Sequence, residues 1–433
     1  MTNPLRILMI VHGFPPRETA GTEQHALQLR TSLIARGHAV HVLSATRSPG
    51  AHQYSLETQD GITRVVNNVT TRRLADAEQD ATMDRIAQEV ALDFRPDIVH
   101  IHHIQFLSSS MRFDAPVVVT LHDRWGWCAA GGLGMRPGDI PCHDAQPADC
   151  ATCASAWRPT PGTLAQGMQR TAQALSPLIR PDILHGLYKR IPARLRPRPE
   201  RGRGPAESAS DAEHRNRIVG DLYRSADVRI SPSHHLAREA EMHGLGLVKV
   251  IPHGVPDDLH AEPVAARGPL AHLGTISRHK GTDRVVEAWR AVCPTGDPEL
   301  LLHGPIAEGD AALGHPVGPV LDRSGVAALL ARSRALVLAP RWAENAPLVA
   351  LEARAMGCPV IAPASGGFPE LIEDGVDGIL YSPTAASGLE EALKAALSGP
   401  LPTPRKPTQL SVQVDAIEQI YRDLLLPEAD RCA

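Results

Sequence analysis

The feature that most limits what this chain can fold into is a repeating one: short runs of bulky apolar residues, many rich in Val and Ile, set between helix-like stretches. In the first half the runs are Ile7–Val11, Val40–Leu43, Ile98–Ile101, Val117–Leu121, Val228–Ile230 and Val248–Ile251. In the second half they are Leu270–Leu273, Leu300–Leu302, Leu336–Leu338 and Val360–Ile361. Gln24–Arg36 typifies the intervening segments, with Ala26, Leu29, Leu33 and Ile34 on one helical face and Gly37 ending it. Strand and helix alternation on this scale predicts βαβ units and parallel sheets covered on both faces. The series occurs twice, with a break at Ile251–Pro256. We therefore expect an α/β chain of two Rossmann-like, doubly wound domains at 1–253 and 268–409, joined by a hinge at 254–267. A final helix, Val412–Leu426, lies within 410–433. Two such domains facing each other bring the carboxyl ends of both sheets to one cleft, where ligands of such sheets bind.

Composition narrows the function. The chain has 433 residues, of which 43% are apolar and 21% charged, as folded proteins are. Its formal net charge is -4, which disfavours a nucleic-acid partner. No window approaches 18 uninterrupted apolar residues, so no membrane span is expected. Ile7–Val11 is too short for a signal peptide. Seven cysteines, an odd number, suggest reduced thiols and a cytoplasmic setting. Residues 155–217 break the βαβ pattern. Within them Lys189–Arg203 carries seven basic residues and one acid, Glu200. Two readings stand: a solvated surface insertion, or a basic patch giving peripheral contact with anionic headgroups at an inner membrane face.

Three segments at successive strand ends of the second domain carry chemistry. In Ala339–Ala353, Pro347 suits the first turn of a helix. The turn at Pro347-Leu348-Val349 then offers free backbone N–H groups, which Pro347 itself lacks, and a positive dipole end to an anion. Glu344 precedes that helix beside Asn345 and Ala346, and Glu352 lies beyond its first turn. One acid can accept from sugar hydroxyls and the other from a ribose. Gly274–Gly281 follows another strand, placing Arg278 and Lys280 where an ammonium can neutralise a departing diphosphate. The third segment contains Gly366-Gly367, whose lack of side chains permits close backbone approach. Each segment alone has a bland reading as a turn or a solvated helix face; all three together are hard to dismiss.

This combination resembles the GT-B-fold retaining glycosyltransferases of family 4 (glycosyl transferases group 1), over nearly the whole chain. The resemblance is strongest at Glu344–Ala364, at Gly366–Glu370 with Asp374-Gly375, and at Lys280-Gly281. It implies that the last helix returns to the first domain and that a nucleoside-diphosphate sugar is the co-substrate. Glu344 would contact the donor sugar, Glu352 the ribose, and Lys280 with the Pro347–Val349 backbone the diphosphate. Thr275 stands where many members have arginine, so Arg278, three positions on, inherits that role only weakly. In the first domain Gly21 matches one of two glycines near the diphosphate. His122, after strand Val117–Leu121, matches a histidine approaching the donor sugar. For His102 and His103, packing and acceptor binding are both open. The loop at Gly21 is not a dinucleotide fingerprint, which disfavours a nicotinamide enzyme.

The reaction so implied moves a hexose to an acceptor hydroxyl with retention, in cell-surface polysaccharide or glycolipid synthesis, on a saccharide acceptor for which Lys189–Arg203 favours a lipid-linked form. No catalytic metal is expected. Alternatives are a GT-B sugar-nucleotide epimerase and an inactive sugar-nucleotide-binding subunit. Cys128, Cys142, Cys150 and Cys153 form C-x13-C-x7-C-x2-C within the loop 124–157. That spacing fits a structural zinc and equally fits unpaired thiols buried in a loop.

Overall fold

The computed structural model describes residues 3–69, 73–142, 146–157, 159–161, 199–201, 207–260, 268–307 and 309–427. The chain divides into two compact units. The first holds Met1–Ser231, Arg238–Lys249 and Glu418–Ala433, and the second Pro232–Ala237 and Val250–Ile417. Most of the basic segment Lys189–Arg203, and residues 261–267 of the expected hinge, lie outside the described residues.

The first unit is built on an eight-stranded sheet. Its strands are β1 (Arg6–Val11), β2 (Ala39–Thr46), β3 (Leu56–Gln59), β4 (Ile62–Val66), β5 (Ile98–Ile101), β6 (Val117–Thr120), β11 (Val228–Ser231) and β12 (Lys249–Val250). Two short pairs lie outside it: β7 (Met135–Arg136) with β8 (Ile140–Pro141), and β9 (Pro159–Pro161) with β10 (Pro199–Arg201). The order β12-β11-β6-β5-β1-β2-β4-β3 is parallel in register from β11 to β4, with β3 antiparallel at the edge. β5 is buried at every position and β1 at all but Arg6, as a sheet covered on both faces requires. β4 escaped the sequence reading because Ile62-Thr63-Arg64-Val65-Val66 mixes polar and apolar residues, yet Thr63 and Arg64 are also buried.

The second unit has six parallel strands: β13 (Leu270–Leu273), β14 (Leu300–His303), β15 (Val317–Gly318), β16 (Ala335–Val337), β17 (Val360–Pro363) and β18 (Ile379–Tyr381). Their order is β15-β14-β13-β16-β17-β18. Alternation along each strand sorts residues into two cores. Leu270, Val337 and Ile361 pack with the helices Thr282–Val292 and Gly388–Ser398. Ala271, Leu336, Val360 and Ala362 pack with Leu330 and Ala353 of the helices Arg323–Arg332 and Leu348–Ala355.

Two corrections concern helices. The first spans Gly21–Ala35 and buries Glu23, His25, Ala26, Leu29 and Leu33; Ile34, expected on that face, is 42% exposed. The face is narrower and more polar than apolar spacing suggested, because Glu23 and His25 are buried in its first turns. Pro347 is the residue before the helix Leu348–Ala355 rather than its first member, with φ −65° and ψ 120°. The last helix runs Leu410–Leu425, and its residues from Glu418 belong to the first unit. There the hydroxyl of Tyr421 meets His100 Nδ1 at 2.5 Å, and Glu418 pairs with Arg36 at 3.0 Å.

Candidate functional site

In a doubly wound sheet the chain leaves adjacent strands in opposite directions at one point, and the two loops there splay apart to leave a crevice. In the second unit that point lies between β13 and β16. The loop after β13 carries Arg278 and Lys280, and the loop after β16 carries Arg341 through Asn345. The two loops meet. Lys280 Nζ donates to Glu344 Oε1 at 2.6 Å, and Trp342 Nε1–H donates to the same oxygen at 2.8 Å. The ammonium also lies 4.9 Å from the centre of the Trp342 ring. Both donors fall on Oε1, leaving Oε2 without a hydrogen-bond donor among the described residues.

The backbone around this pair is fixed by glycines and by one buried fork. Gly281 sits at φ +71°, and a Cβ there would lie 1.7 Å from the Ala339 carbonyl oxygen. Only glycine fits. A Cβ at Gly366 would meet the Glu344 carbonyl at 2.2 Å, and one at Gly367 the Asn345 carbonyl at 1.6 Å. The Gly367 N–H donates to Glu344 O at 2.8 Å. The close approach these two glycines permit is thus to the Glu344–Asn345 backbone. Arg341 grips Asp283 with two hydrogen bonds, at 2.6 and 2.8 Å, and its N–H donates to His279 O. Burial alone would raise the Asp283 carboxyl, but the guanidinium holds it below its ordinary range. Arg278 itself is exposed.

Asn345 is buried and its Oδ1 accepts from Ser233 Oγ. Nearby, Glu370 accepts from the N–H groups of His234 and His235 at 2.7 and 2.6 Å, capping the first turn of the helix His234–Met242. The helix Leu348–Ala355 has no side-chain cap at its N-terminus, so its leading amides are open to an anion. Glu352 lies one turn in. Burial pushes its carboxyl up to about 7, against the pull of Arg323. Ser233, Arg341 and Trp342 were not singled out in the sequence, because their partners Asn345, Asp283 and Glu344 are recognised only once the chain is folded.

The first unit has the matching switch between β1 and β5, and its loops are rich in histidine. His12 Nε2 lies 3.1 Å from Glu23 Oε1, and the His12 and His103 rings are 4.3 Å apart. His103 Nδ1 accepts the Gln105 N–H at 3.1 Å, which places its own proton on Nε2, facing Asp123 Oδ2 at 3.3 Å. Burial keeps His103 below the usual histidine range. His122 Nε2 is 3.2 Å from His102 Nδ1. With His25 they form the one group, among the described residues, whose three ligating atoms lie mutually within 4.8 Å. His100 is fully buried between Tyr421 and Thr120, and burial drives it to about 3. Gly21 opens the uncapped helix Gly21–Ala35, and a Cβ there would meet nothing within 4 Å. Cys128, Cys142, Cys150 and Cys153 line one cavity. Burial, with the other thiols adding to it, pushes Cys150 to about 11 and Cys153 to about 12.

Two Rossmann-like units, each with a switch point of its own, are the architecture of the GT-B glycosyltransferases. Similarity to known proteins agrees. The family described as "Glycosyltransferase Family 4" matches residues 19–141, and "Glycosyl transferases group 1" matches 268–399, together more than half of the chain. The chain belongs to the GT-B glycosyltransferases of the group 1, family 4 type. It is 25% identical to a glycogen synthase of Mycobacterium tuberculosis (strain CDC 1551 / Oshkosh), over 93% of this chain and 88% of that one. In fold it is similar to the sucrose-phosphate synthase of Thermosynechococcus elongatus, with TM-score 0.62, 17% identity and coverage of 96% and 98%. It is also similar to Anabaena Alr3699/HepE in complex with UDP and glucose, with TM-score 0.56, 14% identity and coverage of 96% and 99%. No described helix is long and apolar enough to cross a membrane.

Proposed function

We propose that this glycosyltransferase moves a hexose from a nucleoside-diphosphate sugar to an acceptor hydroxyl with retention of anomeric configuration, in the cytoplasm, for cell-surface polysaccharide or glycolipid synthesis. The observation that carries the reading is the Lys280–Glu344 contact at the β13/β16 switch point, beside an uncapped helix N-terminus. An ammonium has three donors and Glu344 takes one, so two remain for diphosphate oxygens. The leading amides at Leu348 and Val349 add a second positive element. Together they stabilise charge that builds on the diphosphate as the anomeric bond breaks.

Glu344 Oε2 is the oxygen left to accept from a donor-sugar hydroxyl, and Glu352 accepts from the ribose. Asn345, Ala346 and Pro347 shape the donor's bed, and Gly366-Gly367 hold it by fixing Glu344 and Asn345. In the first unit His122 approaches the sugar, and the open space at Gly21 admits phosphate. The departing phosphate itself assists deprotonation of the acceptor, consistent with the lack of a dedicated nucleophile–base pair in this reading. The acceptor is a saccharide, lipid-linked if the basic segment Lys189–Arg203 meets anionic headgroups. A thermal-shift screen with UDP-, GDP-, ADP- and TDP-sugars tests the reading. One nucleotide series should raise the melting temperature, and the K280A variant should lose the shift. A flat response to all four series, or formation of a free sugar-nucleotide isomer without acceptor, would overturn it.

A further inference from the structure

We infer that Cys128, Cys142, Cys150 and Cys153 bind one zinc ion that staples the segment following β6, a role separate from sugar transfer. Three stretches of chain deliver the sulfurs to one place. Cys128 lies in the turn after Trp127, Cys142 follows β8, and Cys150 and Cys153 stand three apart on one face of the helix Pro147–Trp157. All four line a cavity of about 30 Å3 together with Met135 and Arg124. That exceeds the roughly 10–15 Å3 of cavity needed to admit one water-sized species. None is in a disulfide.

Regular structure between β6 and the helix Pro147–Trp157 is sparse. β7 and β8 pair over only two residues each. Gly131, Gly132, Gly134, Gly138 and Asp139 all have positive φ, so the backbone turns repeatedly without regular structure. One nearby core cluster joins Leu74 to the small residues Ala129, Ala151, Ala154 and Ala212 with Cys150, and Trp125, Trp127 and Met135 are buried too. An irregular loop of this kind is a common place for a structural metal.

The sulfurs are set wider than a metal holds them, since no three of them are mutually within 4.8 Å. Tetrahedral Zn–S bonds of about 2.3 Å bring sulfurs to about 3.8 Å. Zinc binding at this site therefore requires the thiols to rotate into the cavity. Binding exchanges each S–H proton for a Zn–S bond, and the protons leave to buffer. The consequence reaches the histidine cluster, because the loop folds back on the end of β6. A Cβ at Gly132 would lie 2.9 Å from Asp123 Cγ, and one at Gly134 2.4 Å from Arg124 Cδ. Asp123 in turn faces His103.

The experiment uses the full chain, untagged and purified without chelator from zinc-supplemented culture. Elemental analysis should find one zinc per chain, retained by H25N and lost by C150S/C153S. Cobalt(II) exchanged into the wild type should show intense near-ultraviolet thiolate-to-cobalt charge transfer. If the double variant does not fold, titration of the wild type with p-mercuribenzoate decides, since blocking the thiols should release the zinc stoichiometrically. Zinc-free protein, zinc that survives thiol blocking, or a cobalt spectrum lacking thiolate bands (as metal on His25, His102 and His122 would give) would each overturn the inference.

Discussion

Lys280 and Glu344 stand 64 positions apart in sequence and 2.6 Å apart in space. They meet because β13 and β16 are hydrogen-bonded neighbours and each loop leaves the same end of the sheet. Partly solvated ion pairs stabilise a fold by only about 0–1 kcal/mol, and Lys280 keeps 31% of its side chain exposed. K280A and E344A should therefore unfold within about 1 kcal/mol of wild type. Their kcat/KM for transfer should fall by about 100-fold or more, the scale of losing one electrostatic contact to a transition state. Product quantification beside chemical denaturation separates the two effects. Near-normal turnover in either variant removes that residue from the proposed mechanism.

Glu352 gives donor binding a pH signature. Its carboxyl titrates at about 7 in the fold against 4.5 for an unperturbed one. The folded chain therefore holds a proton that the unfolded chain gives up, and this contribution to stability is full below about 4.5 and lost as pH rises through 7. Donor affinity should run the other way if the carboxylate accepts from ribose. The dissociation constant should drop as pH rises past 7, and E352Q should flatten the profile and weaken binding about tenfold above it. Calorimetric titration from pH 6 to 8 reads both; an unchanged profile in E352Q would exclude the ribose role.

His100 works in the opposite sense. Its folded value of about 3 lies below the ordinary 6.5, so only the unfolded chain takes up the proton in that window. Stability should fall as pH drops from about 6.5 toward 3. The pairing with Tyr421 ties this loss to the final helix. Y421F should cost about 1 kcal/mol or somewhat more, because it leaves a buried ring nitrogen without its partner. Melting curves between pH 4 and 7 would show it; a variant as stable as wild type throughout would mean the contact is idle.

Gly367 has φ −85°, so an alanine there suffers no backbone penalty of its own. The Cβ would still fall 1.6 Å from the Asn345 carbonyl. G367A should thus displace the Glu344–Asn345 backbone and depress kcat/KM by at least about tenfold, an order taken from the sensitivity of catalysis to ångström-scale misplacement. Substituting Gly21 with alanine should leave the fold intact, as nothing lies within 4 Å of its Cβ. Equal activity of G367A and wild type would show that the glycine pair does not hold the site.

Much of this was legible from residue pattern. Parallel sheets followed from the Val- and Ile-rich runs, and the positions of Lys280 and Glu344 in loops after strands, and of Glu352 in a helix, were readable as well. What escaped was long-range and polar. Arg341 reads as an ordinary surface arginine until Asp283, 58 positions away, closes a fork on it. Ser233 has no local signal, since its partner Asn345 is 112 positions distant. Gly366 and Gly367 announced close approach without naming the approaching group. Polar residues such as Thr63, Arg64, His25 and His100 are buried, and no periodicity of apolar residues marks them.

The tail of the helix Leu410–Leu425 sets a boundary on how the gene can be divided. Arg36, His38 and His100 each have one partner on Glu418 or Tyr421. A fragment stopping before Val250 would keep every strand pair from β1 to β11 but would lose these three contacts, leaving His100 with Thr120 and His38 with the Leu5 N–H. The amino-terminal half is therefore not a cassette that can be excised intact, and exchanging it between relatives means carrying the last helix along.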